Sequence, residues 1–254
     1  MTGASKGIGR ALAEALAAPG ATVGLAARSA DELDALRASL GDRTHALPCD
    51  VGDAESVGAA VDRFAAAAGG IDLVVANAGL AYYGRFLDQG PEVHERMTQI
   101  NWLGTLNTVR AALPLLVGAG RGHVVIVSSG AGLRAFPEAA VYGGTKAAQR
   151  GFAEALRHEL AGTGVSVTTV FPGEIATHLH DHEKATMPDW YHGDDAAAGV
   201  DRLAAAILRG VENDRRAVYH PPFIRLLGLN GIAPRLTDAI LRRLRGGTAA
   251  PRRD

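Results

Sequence analysis

A cluster of glycines opening an amphipathic helical pattern constrains this chain most. In Thr2-Gly3-Ala4-Ser5-Lys6-Gly7-Ile8-Gly9 the glycines stand at 3, 7 and 9, and Ile8, Leu12 and Leu16 then recur at helical spacing. A glycine-rich turn running into a helix lets backbone N–H groups approach a pyrophosphate at the positive helix end. Because the chain holds 32 glycines, the triplet alone says little. Its surroundings decide its meaning.

Downstream, short β-rich runs alternate with helical patterns, the order of βαβ units on a mostly parallel sheet. Strands are predicted near 22–27, 44–49, 71–76, 122–128, 165–171 and 216–220, and helices near 8–18, 30–40, 54–68, 92–117, 138–161 and 195–210. Pro19-Gly20 stops the first helix, and Ser29 followed by Glu32 reads as a capping box for the second. The expected fold class is α/β: a Rossmann-type, doubly wound, mostly parallel sheet over residues 1–220, followed by a helical tail over 221–254. Such a sheet needs a strand feeding the glycine turn, yet only Met1 precedes Thr2, so the first strand reads as truncated. Unpaired buried amides and carbonyls are costly. The expectation is therefore that the start is internal to the natural protein, or that the chain is less stable than one with about five to eight more apolar residues before Thr2. The alternative is that the neighbouring strands close up or another segment fills the gap.

Composition fits one soluble domain, at 254 residues with 47% hydrophobic and 21% charged. A net charge of −1 argues against nucleic acid as a partner. Cys49 is the only cysteine, so no internal disulfide forms and a reducing, cytoplasmic setting is expected. No signal peptide pattern precedes the domain, and no apolar run is long enough to span a bilayer.

The chemistry concentrates at Tyr142 and Lys146, which four-residue spacing places on one helix face in AVYGGTKAAQRGFAEAL. A phenol titrates near ~10 in water, so proton transfer near neutrality needs its anion stabilised, and Lys146 offers a cation. Ser129, ending the apolar run HVVIVSS, emerges where strands of an open α/β sheet present their ligands.

With Thr2-Gly3 through Gly9, Asn77-Ala78-Gly79, Asn101, Ser129 and the Tyr142/Lys146 pair in this order, the chain resembles the short-chain dehydrogenase/reductase family in its single-domain form. The resemblance runs from residue 2 to about 220. It implies an enzyme acting on CH–OH groups with a nicotinamide cofactor. In that scheme Ser129 holds the substrate oxygen and Tyr142 exchanges its proton. Lys146 lowers the tyrosine pKa and grips the nicotinamide ribose, while Asn101 kinks its helix and anchors a water. Gly3, Ser5, Lys6, Gly7, Ile8 and Gly9 would cradle the pyrophosphate. Asp50 and Val51 would meet the adenine; Asn77, Ala78 and Gly79 form a cofactor loop with Ala76 where the family has another asparagine. Pro172, Gly173, Ile175 and Thr177 would hold the carboxamide, with Tyr142 and Lys146 also touching the cofactor. Thr145 stands where a serine is usual, and Gly143-Gly144 weakens the helix start.

An acidic residue at the tip of the second predicted element would favour NAD; here Arg28 follows Ala27, with Lys6 in the glycine turn. Two cations can meet a 2′-phosphate, so NADP(H) is the expected cofactor. Leu80-Ala81-Tyr82-Tyr83, Arg134-Ala135-Phe136-Pro137 and residues 178–191 should surround the substrate, and their apolar and aromatic character suits a lipophilic ketone or alcohol. His178, His180 and His182 alternate in THLHDHE, but they read as solvated loop residues, and no metal site is expected.

In the tail, Leu236, Ile240, Leu241 and Leu244 share a helical face beside Arg235, Arg242, Arg243 and Arg245. Such a face packs on its own domain or on a second subunit, in a homodimer or homotetramer; the alternative is an anionic membrane surface. The expected function is NADP(H)-dependent hydride transfer with a small carbonyl or alcohol substrate. The alternatives are an NADP(H) sensor without turnover, which would not need a proton relay, and a lyase or epimerase using the cofactor transiently.

Overall fold

A computed structural model describes residues 1–175, 199–235 and 237–239. Its parallel strands are β1 (Val23–Ala27), β2 (Thr44–Pro48), β3 (Leu73–Ala76), β4 (Gly122–Val127), β5 (Val165–Pro172) and β6 (Ala217–His220). The helices are α1 (Gly7–Ala17), α2 (Ala30–Leu40), α3 (Ala54–Ala68), α4 (Pro91–Met97), α5 (Gly104–Ala119), α6 (Ala140–Glu159) and α7 (Val200–Glu212).

Alternation along the strands sends successive side chains to opposite faces. Val74, Ala76, Val124 and Ile126 pack with Val109, Ala112 and Leu116 of α5 and Ala153 and Leu156 of α6. Their neighbours Val75, Val125 and Val127 pack the other way, against Leu12 of α1 and Leu203 and Ile207 of α7. Helices therefore cover both faces, and each fully buried Leu or Ile stabilises the domain by about 1.5–3 kcal/mol.

The paired strands fall into a two-stranded part, β1-β2, and a four-stranded part, β3-β4-β5-β6. Met1 and Thr2 join them. Thr2 bridges Ala26 in parallel, its N–H donates to the Val75 carbonyl at 3.0 Å, and the Ala26 N–H donates to the Met1 carbonyl at 2.9 Å. Met1 and Thr2 thus hold one end of the position between β1 and β3. Beside it lies a small cavity of about 50 Å³ lined by Met1, Gly24, Leu47, Phe64, Leu73 and Val74, among others. The Met1 amine is buried there, donates to the Gly24 carbonyl at 2.8 Å, and is pushed down to about 6 by loss of water.

The stretch predicted as one helix over 92–117 is divided. Between α4 and α5 a π-turn spans Thr98–Leu103, so the helix widens where Asn101 sits, as π-bulges do at functional sites. Ser29 caps α2 by accepting from the Glu32 N–H at 3.3 Å, but the Glu32 carboxylate pairs with Lys6; the capping box is only half formed. After β6, Pro222–Gly231 forms a 3₁₀-helix. Leu236, Ile240, Leu241 and Leu244, with Arg242, Arg243 and Arg245, lie outside the described residues.

Candidate active site

Because every strand is parallel, their C-terminal ends open on one edge, and the loops that follow them line a single cavity of about 1230 Å³. At its glycine-rich end, Gly3 and Gly7 have φ of +66° and +54°, values that side-chain-bearing residues rarely adopt. A Cβ on Gly9 would lie 2.1 Å from the Gly3 carbonyl oxygen, so only glycine lets α1 approach the turn this closely. No side chain caps the start of α1 and no acidic residue stands in its first turn, which leaves its N–H groups and positive helix end to an anion. The residues present therefore fit a pyrophosphate.

Thr2, which the sequence motifs leave without a role, braces this turn. Its hydroxyl accepts from the N–H groups of Asn77 at 3.2 Å and Ala78 at 3.3 Å. The Asn77 amide in turn donates to the carbonyls of Thr2 at 3.0 Å and Gly3 at 3.2 Å. Ser5, Lys6, Ile8, Arg28, Asp50, Val51, Ala78, Gly79, Pro172, Gly173 and Ile175 line the same cavity, together with Gly3, Gly7 and Asn77. Gly9 and Asn101 do not, and Thr177, His178, His180 and His182 lie outside the described residues. Among the described residues no group of His, Cys, Asp and Glu side chains could hold a metal ion.

Lys6 and Arg28 differ in a way the sequence does not reveal. Lys6 Nζ sits 2.7 Å from Glu32 Oε1, and this bond holds the Glu32 carboxyl below the usual carboxylate range. One of the two expected cations is thus already partnered. Arg28 makes no ion pair among the described residues.

Helix α6 places Tyr142, Lys146 and Gln149 on one buried face. Gly143 permits this approach, since a Cβ there would meet the Ala135 Cβ at 2.8 Å. Ser129, just beyond β4, accepts from the Ala131 N–H at 3.1 Å and lines the same cavity as Tyr142. Burial pushes the Tyr142 phenol up, and the nearby Ser129 hydroxyl opposes that rise. Lys146 Nζ donates to the Val127 carbonyl at 3.0 Å and lies 5.8 Å from the Tyr142 ring centre. Loss of water pulls the ammonium down to about 7. Without nucleotide the net displacement of the phenol is upward, with burial as its largest cause.

Asn101 is fully buried. Its Oδ1 accepts from the Leu80 N–H at 2.8 Å, and its Nδ2 donates to the Leu80 carbonyl at 2.9 Å and to Thr145 Oγ1 at 3.1 Å. Its own carbonyl, freed by the π-turn, accepts from Thr105 Oγ1 and Gln149 Nε2, each at 2.8 Å. Asn101 thus ties the loop after β3 to α6, behind the cavity wall. Gln149 is a further member of this network; its polar amide falls three residues after Lys146, and that polarity on the Tyr142/Lys146 face is the signal that could have found it.

The substrate end is apolar and aromatic, with Leu80, Tyr82, Tyr83, Phe136, Phe223, Ile224 and Leu227 in the wall. An acid, a hydroxyl and a buried amine thus meet beside an anion cradle and an apolar chamber.

Comparison with known proteins agrees with this geometry. The sequence model described as short chain dehydrogenase matches residues 1–188. A dehydrogenase/reductase SDR family protein 7-like from Anopheles gambiae is 33% identical over 87% of the chain and 74% of its own length. Glycine betaine reductase of Emericella nidulans is 39% identical over 70% of the chain, which spans only 14% of that protein. Among solved structures, a short-chain dehydrogenase/reductase from Burkholderia phymatum in complex with NAD superposes with a TM-score of 0.82, at 25% identity over 93% of each chain. An alcohol dehydrogenase from Thermococcus sibiricus complexed with 5-hydroxy-NADP gives a TM-score of 0.74 at 31% identity, over 86% of this chain and 92% of the other. Matched along most of its length, from the glycine turn past the Tyr142/Lys146 helix, the chain belongs to the short-chain dehydrogenase/reductase family of oxidoreductases.

Proposed function

We propose that this protein transfers hydride between NADP(H) and a lipophilic ketone or secondary alcohol. The observation that carries the reading is Ser129, Tyr142 and Lys146 lining the same cavity as the uncapped glycine turn. When bound, the nicotinamide supplies or accepts the hydride.

The residues do the rest. Ser129 Oγ and Tyr142 Oη hold the carbonyl oxygen, and Tyr142 gives its proton to that oxygen as the alcohol forms. Lys146, poised near neutrality, is able to hand a proton onward to the phenolate or to hold a ribose hydroxyl. Asn101 and Gln149 position the helix that carries both groups. Gly3, Ser5, Gly7 and Ile8 would hold the pyrophosphate, with Gly9 allowing the close turn; Asp50 and Val51 would meet the adenine; Asn77, Ala78 and Gly79 would shape the loop between; Pro172, Gly173, Ile175 and Thr177 would hold the carboxamide. Arg28, which lines the cavity and makes no ion pair among the described residues, favours a 2′-phosphate, although Glu32 offsets the help of Lys6. Relatives solved with NAD and with 5-hydroxy-NADP support the cofactor class. The aromatic wall supports a lipophilic substrate, and the lone buried Cys49 suits a cytoplasmic setting. A homo-oligomer goes with this reading.

The experiment is to mix purified protein and NADPH with a panel of ketones and aldehydes of graded hydrophobicity and follow NADPH absorbance. Oxidation that accelerates with the apolar members is expected. No oxidation with any member, in either direction with the matching alcohols, would overturn the reading.

A further inference from the structure

The 3₁₀-helix Pro222–Gly231 carries an exposed apolar ridge. With three residues per turn, side chains three apart eclipse one another. Phe223, Leu226 and Leu229 therefore line up, and Ile232 continues the row just past the helix end. Their exposures are 64%, 57%, 50% and 83%, high for large apolar groups gathered in one patch. The adjacent row points inward: a Cβ on Gly173 would lie 2.8 Å from Ile224 Cδ1, and one on Gly130 would lie 3.3 Å from Leu227 Cδ1. The helix is thus seated on the floor of the active site, and Phe223 belongs to both the ridge and the cavity wall.

Charge identifies the occupant. Residues 222–254 carry seven arginines against two aspartates, whereas residues 1–221 carry nineteen basic against twenty-five acidic side chains. Arg225 projects from the ridge-bearing helix itself, exposed beside the ridge. A second copy packed there ridge to ridge would bring the exposed Arg225 of each copy near the other, which is unfavourable. An apolar stripe with the exposed Arg225 beside it suits the headgroup boundary of an anionic bilayer. Among the described residues no helix is long and apolar enough to cross a membrane, so the contact is one of lying on the surface.

We propose that this ridge docks the protein on anionic phospholipid membranes with the cavity mouth facing the lipid. Resting on the reading of the site as a lipophilic carbonyl reductase, the docking lets substrate enter from the bilayer past Phe223.

The test is co-sedimentation of the protein, without substrate, with phosphatidylcholine vesicles containing phosphatidylglycerol and with phosphatidylcholine alone. The wild type should bind the anionic vesicles, less in high salt. The Leu226→Glu/Leu229→Glu variant should lose at least about tenfold in partition, while NADPH affinity and turnover of a water-soluble ketone stay unchanged. Ile232→Glu, at a more exposed position, replaces that pair if it misfolds. Equal vesicle binding by wild type and variant, or none by the wild type, would overturn the proposal. So would a variant that lowers the mass of a lipid-free assembly, which assigns the ridge to a second copy. Vesicle binding by a protein inert toward every ketone would instead sink the oxidoreductase reading alone.

Discussion

Replacing Lys146 with methionine should make the protein more stable below neutral pH while abolishing turnover, and the size of that gain should fall as pH rises. Lys146 is buried, and its one hydrogen bond recorded in the fold is to the Val127 carbonyl. Desolvation holds its ammonium at about 7, down from 10.5. Below about pH 7 both folded and unfolded chains carry the proton, and the folded protein bears the full cost of the buried charge, roughly 5 kcal/mol at about 1.4 kcal/mol per pH unit of displacement. Above that pH the folded lysine is neutral while the unfolded one stays charged. The unfolded state then binds more protons, so wild-type stability climbs with pH, by about 2 kcal/mol from about pH 7 to about pH 9. Methionine fills a similar volume without titrating. The difference between the two proteins isolates Lys146, because other groups, including the Met1 amine at about 6, cancel. Urea denaturation of both proteins without nucleotide at a series of pH values measures it. The variant's advantage should shrink by about 2 kcal/mol across that interval; parallel stability curves would refute the account of a desolvated, near-neutral lysine.

Tyr142→Phe removes the transferable proton and keeps the ring, so kcat on a reducible ketone should fall about 10²–10⁴-fold with NADPH affinity retained; more than about a tenth of the wild-type rate would show that another group is the acid. Arg28→Ala should weaken NADPH by about ten- to a hundredfold, from loss of a charged hydrogen bond of roughly 1.5–3 kcal/mol, and leave NADH nearly unchanged; titration of both nucleotides checks this, and equal losses would assign the arginine to folding. Adding about five to eight apolar β-forming residues before Thr2 should extend the pairing between β1 and β3 beyond what Met1 and Thr2 make and raise Tm by about 5–10 °C; an unchanged melting curve would mean that the slot is already satisfied.

The strands were legible because runs such as LVVA and HVVIV place alternate residues in two different cores, and a buried parallel strand has little else it can be. The glycine turn was legible as well, since positive φ and close approach leave no substitute. What lay beyond the sequence depends on the third dimension. Periodicity reads 92–117 as one helix because a π-turn shifts the hydrogen-bonding pattern without erasing the apolar repeat; Asn101 in mid-helix is its only local trace. Glu32 reads as a capping partner, yet its carboxylate turns to Lys6, a residue that only the folded βα turn brings near. Tyr142 and Lys146 share a face as their spacing requires. That their surroundings push the phenol up and the ammonium down follows from burial, which spacing does not report.

The central claim, hydride transfer with Tyr142 as the acid, is tested most directly by following the isotope. NADPH carrying deuterium on the transferred C4 position is incubated with the protein and its best ketone, and the alcohol is analysed by mass spectrometry. The account predicts one deuterium on the carbinol carbon of the wild-type product and almost no alcohol from Tyr142→Phe in the same time. An alcohol without deuterium at that carbon, or one formed equally fast by the phenylalanine variant, would contradict it.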